Sequence, residues 1–193
     1  MGREDRRAIR IFGDLRNVML HTQYYQGKPI AVPVAGIVTS IEGLRDKILH
    51  PATVLGVLPH RPVVRFSPEE PISAVLDEVR KHNYSQFPIY GEHSYCGLLT
   101  TNCIGRWLAD RLATDELVAS ESVSAVMKFA EAQDSAALLP RSATVLHAIK
   151  KLSAAAHGSV LPAALIITEA GKQTEAPLAI VVSDDLPTLF DSA

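Results

Sequence analysis

The apolar positions of the chain follow one pattern twice. In each copy, an apolar stripe with helical spacing is followed by two short apolar segments. The stripes are Ile72, Val75, Leu76 and Val79 in the first copy and Val145, Ala148, Ile149 and Leu152 in the second. Each stripe needs a sheet or another helix to cover it, so the two copies should pack on each other. A cleft between two related halves is a natural place for a small ligand.

Short apolar runs around these stripes predict the strands. We expect strands at 63–66, 87–90 and 96–99 in the first copy and at 136–139, 164–168 and 178–182 in the second. A further helix with apolar residues at Ile104, Trp107, Leu108 and Leu112 completes the first copy. The predicted order of that copy is therefore strand–helix–strand–strand–helix.

Polar side chains predict where the helices begin. Ser67 and Glu70 have the spacing of a reciprocal cap ahead of the first stripe, and Thr144 is the expected cap of the second. A helix containing Val123 and Met127 follows a linker near 113–115 and opens the second copy.

Two helices are predicted ahead of the repeats. Apolar residues recur at helical spacing through residues 4–25, and a second stripe from Ile37 to Ile48 ends before Pro51. We therefore divide the chain into an N-terminal helical segment at 1–50, a first repeat at 51–113, and a linker helix with the second repeat at 114–193.

Composition narrows the class of protein. The 193 residues are 47% hydrophobic and 21% charged with a net charge of −2, which is typical of a globular chain and gives no electrostatic case for nucleic acid or an anionic membrane as a partner. No apolar run approaches the roughly 20 residues of a membrane span, and the start lacks the pattern of a signal peptide, so we expect a cytoplasmic protein. Cys96, Cys103 and the histidines show no metal-ligand spacing, so no metal site is predicted.

Three residue strings make the repeats resemble a tandem of cystathionine-β-synthase-type (CBS) domains. These strings are Ser85-Gln86-Phe87-Pro88-Ile89, then Gly97-Leu98-Leu99-Thr100 ahead of a helix, and Asp185-Leu186-Pro187 after the last strand. The resemblance covers roughly residues 50–190. It implies an α/β (α+β) fold in which two β-α-β-β-α copies pair through their sheets, here preceded by the short helical segment.

The resemblance also implies a regulatory function. Tandem CBS domains bind adenosine-containing ligands such as AMP, ADP, ATP or S-adenosylmethionine in the cleft between the copies. A hydroxyl and a carboxylate after a strand bind the ribose hydroxyls in this family, and neighbouring strand residues contact the adenine. No catalytic residue and no required cofactor follow from this reading.

Mapped onto the chain, the hydroxyl–carboxylate pair is split between the two copies. The first copy has the hydroxyl as Thr100, but Cys103 stands in the carboxylate position, with Asn102 adjacent. The second copy has the carboxylate as Asp185, but Val182 stands in the hydroxyl position, with Ser183 one residue later. Losing one such contact costs about 1–3 kcal/mol, so we expect weak or altered binding.

The implied ligand-binding set is completed by strand residues and two arginines. Gln86, Phe87 and Pro88 lie on the strand that carries the first family string. Arg65 and Arg141 lie near the first strands of the two copies and are candidates to neutralise a phosphate. The full predicted set is Arg65, Gln86, Phe87, Pro88, Thr100, Asn102, Arg141, Ser183 and Asp185.

Two other functions remain open at this point. The split pairs are also compatible with a ligand-free CBS pair that serves a structural or interaction role. Arg16 and His21 resemble the Arg-x4-His signature of HEPN (higher eukaryotes and prokaryotes nucleotide-binding) domains, some of which cleave RNA without a metal. As partners we expect a nucleotide, a second copy of the chain docked through the helices of Trp107 or Met127, and an unidentified effector protein.

Overall fold

The structure is a computed structural model that describes residues 3–21, 32–114, 120–153 and 160–193. It divides into two compact units, Met1–Ala52 together with Ala193, and Thr53–Ser192.

The smaller unit contains the two predicted N-terminal helices. They span Arg3–His21 (α1) and Ala35–Leu49 (α2), so both are confirmed, while residues 22–25 of the predicted first helix lie outside the described residues. Both helices keep large apolar side chains exposed, and none of the residues of α2 is buried.

The larger unit contains the two repeats. Its helices are Val54–Val57 (α3), Ile72–His82 (α4), Thr101–Thr114 (α5), Val123–Val126 (α6), Val145–Ser153 (α7) and Leu186–Asp191 (α8). Its strands are Gln86–Tyr90 (β1), Tyr95–Thr100 (β2), Ala136–Pro140 (β3), Ala164–Thr168 (β4) and Ala179–Val182 (β5). Strands β1 and β2 pair antiparallel in one sheet. In the other sheet β4 lies between β3, which is parallel to it, and β5, which is antiparallel.

The two apolar stripes form the cores as predicted. Val145, Ala148, Ile149 and Leu152 of α7 are all buried against the second sheet. Ile72 and Val75 of α4 are fully buried against the first sheet, whereas Leu76 is exposed.

The first strand of the first sheet is shorter than predicted. Of the predicted strand 63–66, Phe66 alone makes a β-bridge, a parallel one to Ile89. The N–H of Phe66 donates to the carbonyl of Pro88 at 3.3 Å, so the backbone of Pro88 faces this strand. Because Pro88 has no N–H, it cannot donate the next hydrogen bond from β1 to the strand that was predicted at 63–66. Ile166 is the equivalent residue of the second sheet and keeps its N–H, which lets β3 pair along its full length.

The predicted caps differ between the copies. The hydroxyl of Thr144 accepts the N–H of His147 at 3.3 Å, which confirms the cap of α7. The N–H of Ser67 donates to the carboxylate of Glu70 at 2.5 Å, but this pair closes a turn ahead of the helix. Helix α4 begins only at Ile72, so the prediction that Ser67 caps it was wrong.

Helix α3 was not predicted, and it packs on the core of the second copy although it precedes the first. Thr53 bridges Thr144, and the N–H of Val54 donates to the carbonyl of Ala143 at 3.0 Å. Val54 is fully buried in the cluster formed by α7, β4 and β5.

Helix α6 makes the reciprocal contact with the first copy. Ser122 bridges Pro71, and the N–H of Val123 donates to the carbonyl of Glu70 at 2.9 Å. Val123 is fully buried in the cluster formed by α4, β1 and α5. Each copy therefore completes its core with the segment that leads into the other copy, which interlocks the two repeats.

Gly97 leaves room on the first sheet for the segment that begins with α6, which packs on this copy although it leads into the other. Its φ is +155°, and a Cβ at this position would collide with the Cε of Met127, which follows α6. A side chain at position 97 would displace the flexible end of the Met127 side chain, and the positive φ would strain the backbone of any residue other than glycine. Ala179 occupies the equivalent register of β5 in the second copy, where the family string has Gly.

Candidate functional site

A cavity of about 420 Å³ lies between the two repeats. Its walls come from residues within 55–64 and 83–86 on one side and from Arg141 and residues 178–185 on the other. Leu55, Leu58 and Ile180 supply apolar surface, while arginine and aspartate side chains supply charge. The exchange of α3 places residues 55–64 opposite the second sheet, so the cavity exists only in the assembled pair.

Asp185 is the best-positioned polar group of this cavity. It ends a 3₁₀ turn that follows β5 and is 5% exposed. The N–H of Val182 donates to its Oδ2 at 3.0 Å, which fixes the carboxylate. The Nη2 of Arg61 lies 3.4 Å from its Oδ1. The carboxylate is thus held from one side and remains available to a hydroxyl donor from the cavity.

Other ionisable side chains of the cavity are basic except for Asp184. Arg61 is exposed, and His60 lies beside it. Arg141 lies on the opposite wall with its Nη1 3.5 Å from the carboxylate of Glu169, and both of these side chains are exposed. The cavity therefore combines an anchored carboxylate with exposed arginine side chains.

Aromatic and polar groups line the first-copy wall near β1. Asn83 ends α4 in the left-handed conformation with φ of 55°, which turns the chain so that Tyr84, Ser85 and Gln86 line the cavity. Tyr84 stacks on His82 with ring centroids 5.3 Å apart, and the hydroxyl of Ser85 donates to the side-chain carbonyl of Gln86 at 2.6 Å. This wall offers an aromatic face and amide donors to a planar ligand.

Three residues of the predicted set line the cavity, namely Gln86, Arg141 and Asp185. Ser183 lies two residues before Asp185 but is exposed, and it does not line the cavity. Val182, which stands in the hydroxyl position, lines it.

The structure places the other predicted residues elsewhere. Phe87 and Pro88 are buried within β1, and Asn102 is exposed on α5. Arg65 is exposed, and its guanidinium lies 5.9 Å from the ring centroid of Tyr90. Thr100 is buried at the equivalent end of the first copy.

That equivalent end is filled by a carboxylate of the chain itself. The register that pairs Ala164 with Val182 pairs Gln86 with Thr100, so Thr100 corresponds to Val182. The hydroxyl of Thr100 donates to Oδ1 of Asp134, which is 6% exposed.

Asp134 is satisfied by donors on both of its oxygens. The guanidinium of Arg106 donates to Oδ2, as does the N–H of Glu131 at 2.9 Å. Arg106 also donates through Nε to the carbonyl of Phe129 at 2.8 Å. Since all these partners belong to the chain itself, the carboxylate of Asp134 has its hydrogen-bond acceptors occupied at this end of the first copy.

Cys103 supplies no substitute for the absent carboxylate. It is fully buried, and its Sγ donates to the carbonyl of Val126 at 3.3 Å. Burial, reinforced by the negative charge of Asp134, raises the pKa of the Cys103 thiol to about 11. The side chain is therefore a neutral core group at physiological pH.

Sequence reasoning missed Arg61 and His60. They lie between Pro59 and Pro62 in a segment without regular structure, which carries no periodic signal. Their role depends on the exchange of α3, which carries this segment to the second copy. The one available signal was the position of Arg61 five residues before Phe66, which matches that of Asp134 before Leu139.

The Arg-x4-His residues lie in α1, within the smaller unit. Arg16 and His21 are both exposed, and five helical positions separate them by about 140° around the axis. The Nη1 of Arg16 donates to the side chain of the adjacent Asn17 at 3.3 Å.

Within residues 3–21, 32–114, 120–153 and 160–193, no group of His, Cys, Asp and Glu side chains is arranged to hold a metal ion. Of the helices described, none has both the length and the hydropathy needed to cross a bilayer.

Comparison with known proteins identifies the repeats. The family model of the CBS domain matches residues 55–109. A search of curated proteins found no match. The first repeat therefore matches the CBS domain family over these residues, as its residue strings predicted.

Solved structures show that both repeats together have the fold of a CBS domain pair. One is a CBS domain pair in complex with 5′-methylthioadenosine and S-adenosyl-L-methionine, at 18% identity and a TM-score of 0.51, covering 73% of this chain and 97% of that one. Another is the CBS domain of a bacterial CNNM/CorC family Mg²⁺ transporter in complex with ATP, at 16% identity and a TM-score of 0.50, covering 79% and 94%. A third is the CBS domain of a membrane protein from Sphaerobacter thermophilus, at 14% identity and a TM-score of 0.52, covering 79% and 96%. The predicted fold class is confirmed.

Proposed function

We propose that this CBS pair is a regulatory module that binds an adenosine-containing ligand in the cavity beside Asp185. The observation that carries the proposal is the anchored carboxylate, which lies in a cavity built from both repeats. Two of the structural neighbours were solved with adenosine-containing ligands, which supports the ligand class.

The residues of the cavity suit the parts of such a ligand. Ribose hydroxyls donate to the Oδ1 of Asp185, while its Oδ2 stays bonded to Val182. The apolar walls and Tyr84 take the adenine face, and its polar edge bonds to backbone groups or to Gln86. Val182 adds no hydroxyl, so the ribose is held by the carboxylate alone, and binding is weaker than with a complete pair.

Regulation follows from the two-sided cavity. A ligand that contacts residues 55–64 and Asp185 together stabilises the arrangement of repeats in which these groups converge. It therefore shifts the population toward that arrangement, by an amount set by its differential affinity. We propose that an effector protein reads this change.

Dimerisation is a further part of the proposal, with a changed surface. Trp107 is buried and its Nε1 donates to Glu121 at 2.8 Å, so it does not provide the exposed contact that the sequence suggested. Leu108 and Leu112 of the same helix are exposed. We propose that a homodimer buries these two leucines.

Isothermal titration with AMP, ADP, ATP and S-adenosylmethionine tests the proposed ligand site. We expect at least one of them to bind, and we expect Asp185→Asn to weaken that binding about tenfold, because one charge-assisted hydrogen bond to ribose is lost. Asp77→Asn is the matched control, since Asp77 is exposed and pairs only with neighbours on its own helix, Arg80 and Lys81. Unchanged affinity in Asp185→Asn, or an equal loss in the control, would contradict the proposed contact.

A ligand-free interaction module is the second candidate. Its specific support is the first copy, where Asp134 fills the end of the sheet from within the chain. If none of the four ligands binds or raises the midpoint of thermal unfolding, this second function replaces the first.

A further inference from the structure

Arg61 is held loosely beside the carboxylate that the ribose needs. Its Nη2 is 3.4 Å from the Oδ1 of Asp185, longer than the roughly 2.7–3.2 Å of an N–H···O hydrogen bond. The side chain is 63% exposed, whereas that of Asp185 is 6% exposed. The guanidinium can therefore turn away from Asp185 at little cost, while the carboxylate stays in place.

We propose that Arg61 makes the cavity selective for phosphorylated adenosine ligands over the unphosphorylated nucleoside. This inference rests on the proposed function and assigns the phosphate end of the same ligand. The guanidinium presents a planar fork of donors that matches phosphate oxygens in a bidentate manner. When ribose binds Asp185, it displaces Arg61 from that carboxylate. The phosphate of a phosphorylated ligand then offers Arg61 a stronger partner than Asp185 was.

An unphosphorylated nucleoside gains no such exchange. Its ribose hydroxyls compete with Arg61 for Oδ1 of Asp185, and it offers the displaced guanidinium no anion in return. The other basic and acidic side chains that line the cavity are Arg141, which faces Glu169, together with His60 and Asp184. Arg61 is the arginine whose present partner is the ribose carboxylate itself, so phosphate selectivity should depend on it first.

The test compares adenosine with ADP, which share base and ribose and differ only in phosphate. Calorimetric affinities are measured for the full-length wild type, for Arg61→Gln, and for Arg65→Gln as the control. Arg65 has the same charge four residues later but lies over Tyr90 and does not line the cavity. Inorganic pyrophosphate is a third probe, which tests the anion site without nucleoside.

We expect wild type to bind ADP at least about tenfold more tightly than adenosine, the low end for a charge-assisted contact because Arg61 is largely exposed. Arg61→Gln should lose about tenfold for ADP and keep or slightly gain affinity for adenosine, so the preference collapses. Arg65→Gln should retain the preference.

Each contrary result identifies which claim fails. If adenosine and ADP bind wild type equally, or if Arg61→Gln leaves their ratio unchanged, the selectivity is overturned while the adenosine site stands. If adenosine does not bind but pyrophosphate does, and only in the presence of Arg61, the anion site stands and the proposed function fails. If neither adenosine, ADP nor pyrophosphate binds wild type, both are overturned.

Discussion

Each repeat has an Asp–Arg ion pair near the end of its second antiparallel strand. The pair of the second repeat lines the cavity, whereas the aspartate of the first repeat is held by internal hydrogen bonds. In the second copy, Asp185 follows the strand and its partner Arg61 comes from the segment that enters the first copy. In the first copy the origins are reversed, because Arg106 belongs to the helix after the strand and Asp134 to the segment that enters the second copy.

The two carboxylates are about equally buried, so the exposure of the arginine and the number of internal donors make the difference. Asp134 accepts from a hydroxyl, a backbone N–H and a guanidinium that is 30% exposed. Asp185 accepts from the N–H of Val182 and faces the exposed Arg61 at a longer distance. An Asp–Arg pair therefore stabilises the fold when other groups of the protein also donate hydrogen bonds to the aspartate. When few such donors are present, the carboxylate stays available to a ligand.

The largest expected difference between the two ends is in stability. Asp134→Ala leaves Arg106 and Thr100 without their shared acceptor, and it should lower the free energy of unfolding by about 3 kcal/mol. Asp185→Ala should cost about 1 kcal/mol, because one backbone N–H loses its acceptor and the pair with Arg61 is screened by solvent. Urea denaturation of both variants, with exposed Asp77→Ala as the control, measures the contrast. Equal losses at Asp134 and Asp185 would show that the two ends are fastened alike.

Truncating a buried side chain of α3 or of α6 should lower stability by equal amounts, in contrast to the unequal effects at Asp134 and Asp185. Val54 and Val123 are both fully buried in the core of the opposite copy. We expect Val54→Ala and Val123→Ala each to lower the free energy of unfolding by about 2 kcal/mol through lost burial and a small cavity. Val160→Ala, at an exposed site ahead of β4 and outside the proposed dimer surface, should change it by less than about 0.5 kcal/mol. A loss confined to one of the valines would mean that the exchange stabilises only one repeat.

A pH-dependent effect on stability concerns Cys103, which stands in the carboxylate position of the first copy. The pKa of Cys103 is raised from 9.0 to about 11, so the folded state holds this proton more tightly than the unfolded state does. Its contribution to stability is therefore complete below pH 9 and is lost as the pH rises from 9 toward 11. In Cys103→Ser, which has no such titration, the decline in stability over this window should be shallower.

Thiol labelling at pH 8 gives an independent check of the same residue. Cys96 is exposed and should react at once with a disulfide reagent, whereas buried Cys103 should react only as the chain opens. Rapid labelling of two thiols in the folded protein would show that the end of the first copy is accessible after all.

The apolar periodicity of the sequence determined the repeats. The four positions of the second stripe are all buried, and the strands and caps that adjoin them fall close to the predicted bounds, because helix and strand periods are local properties of the chain. The family strings likewise pointed to Asp185, which lines the cavity between the repeats. A local rule misplaced the cap at Ser67, since the bonds of the adjoining segment go to α6 instead.

Tertiary structure alone decided which end could hold a ligand. Thr100 matches the family string, yet Asp134, 34 residues away, occupies its hydroxyl. Arg61 sits in a segment with no periodic signal, and it reaches Asp185 only because α3 crosses to the other repeat. Such contacts join residues distant in sequence, and their strength depends on burial and on the other donors present. The sequence therefore specified two similar repeats. The packing of α3 on the second repeat and of α6 on the first then made a cavity beside Asp185 and a closed, hydrogen-bonded core around Asp134.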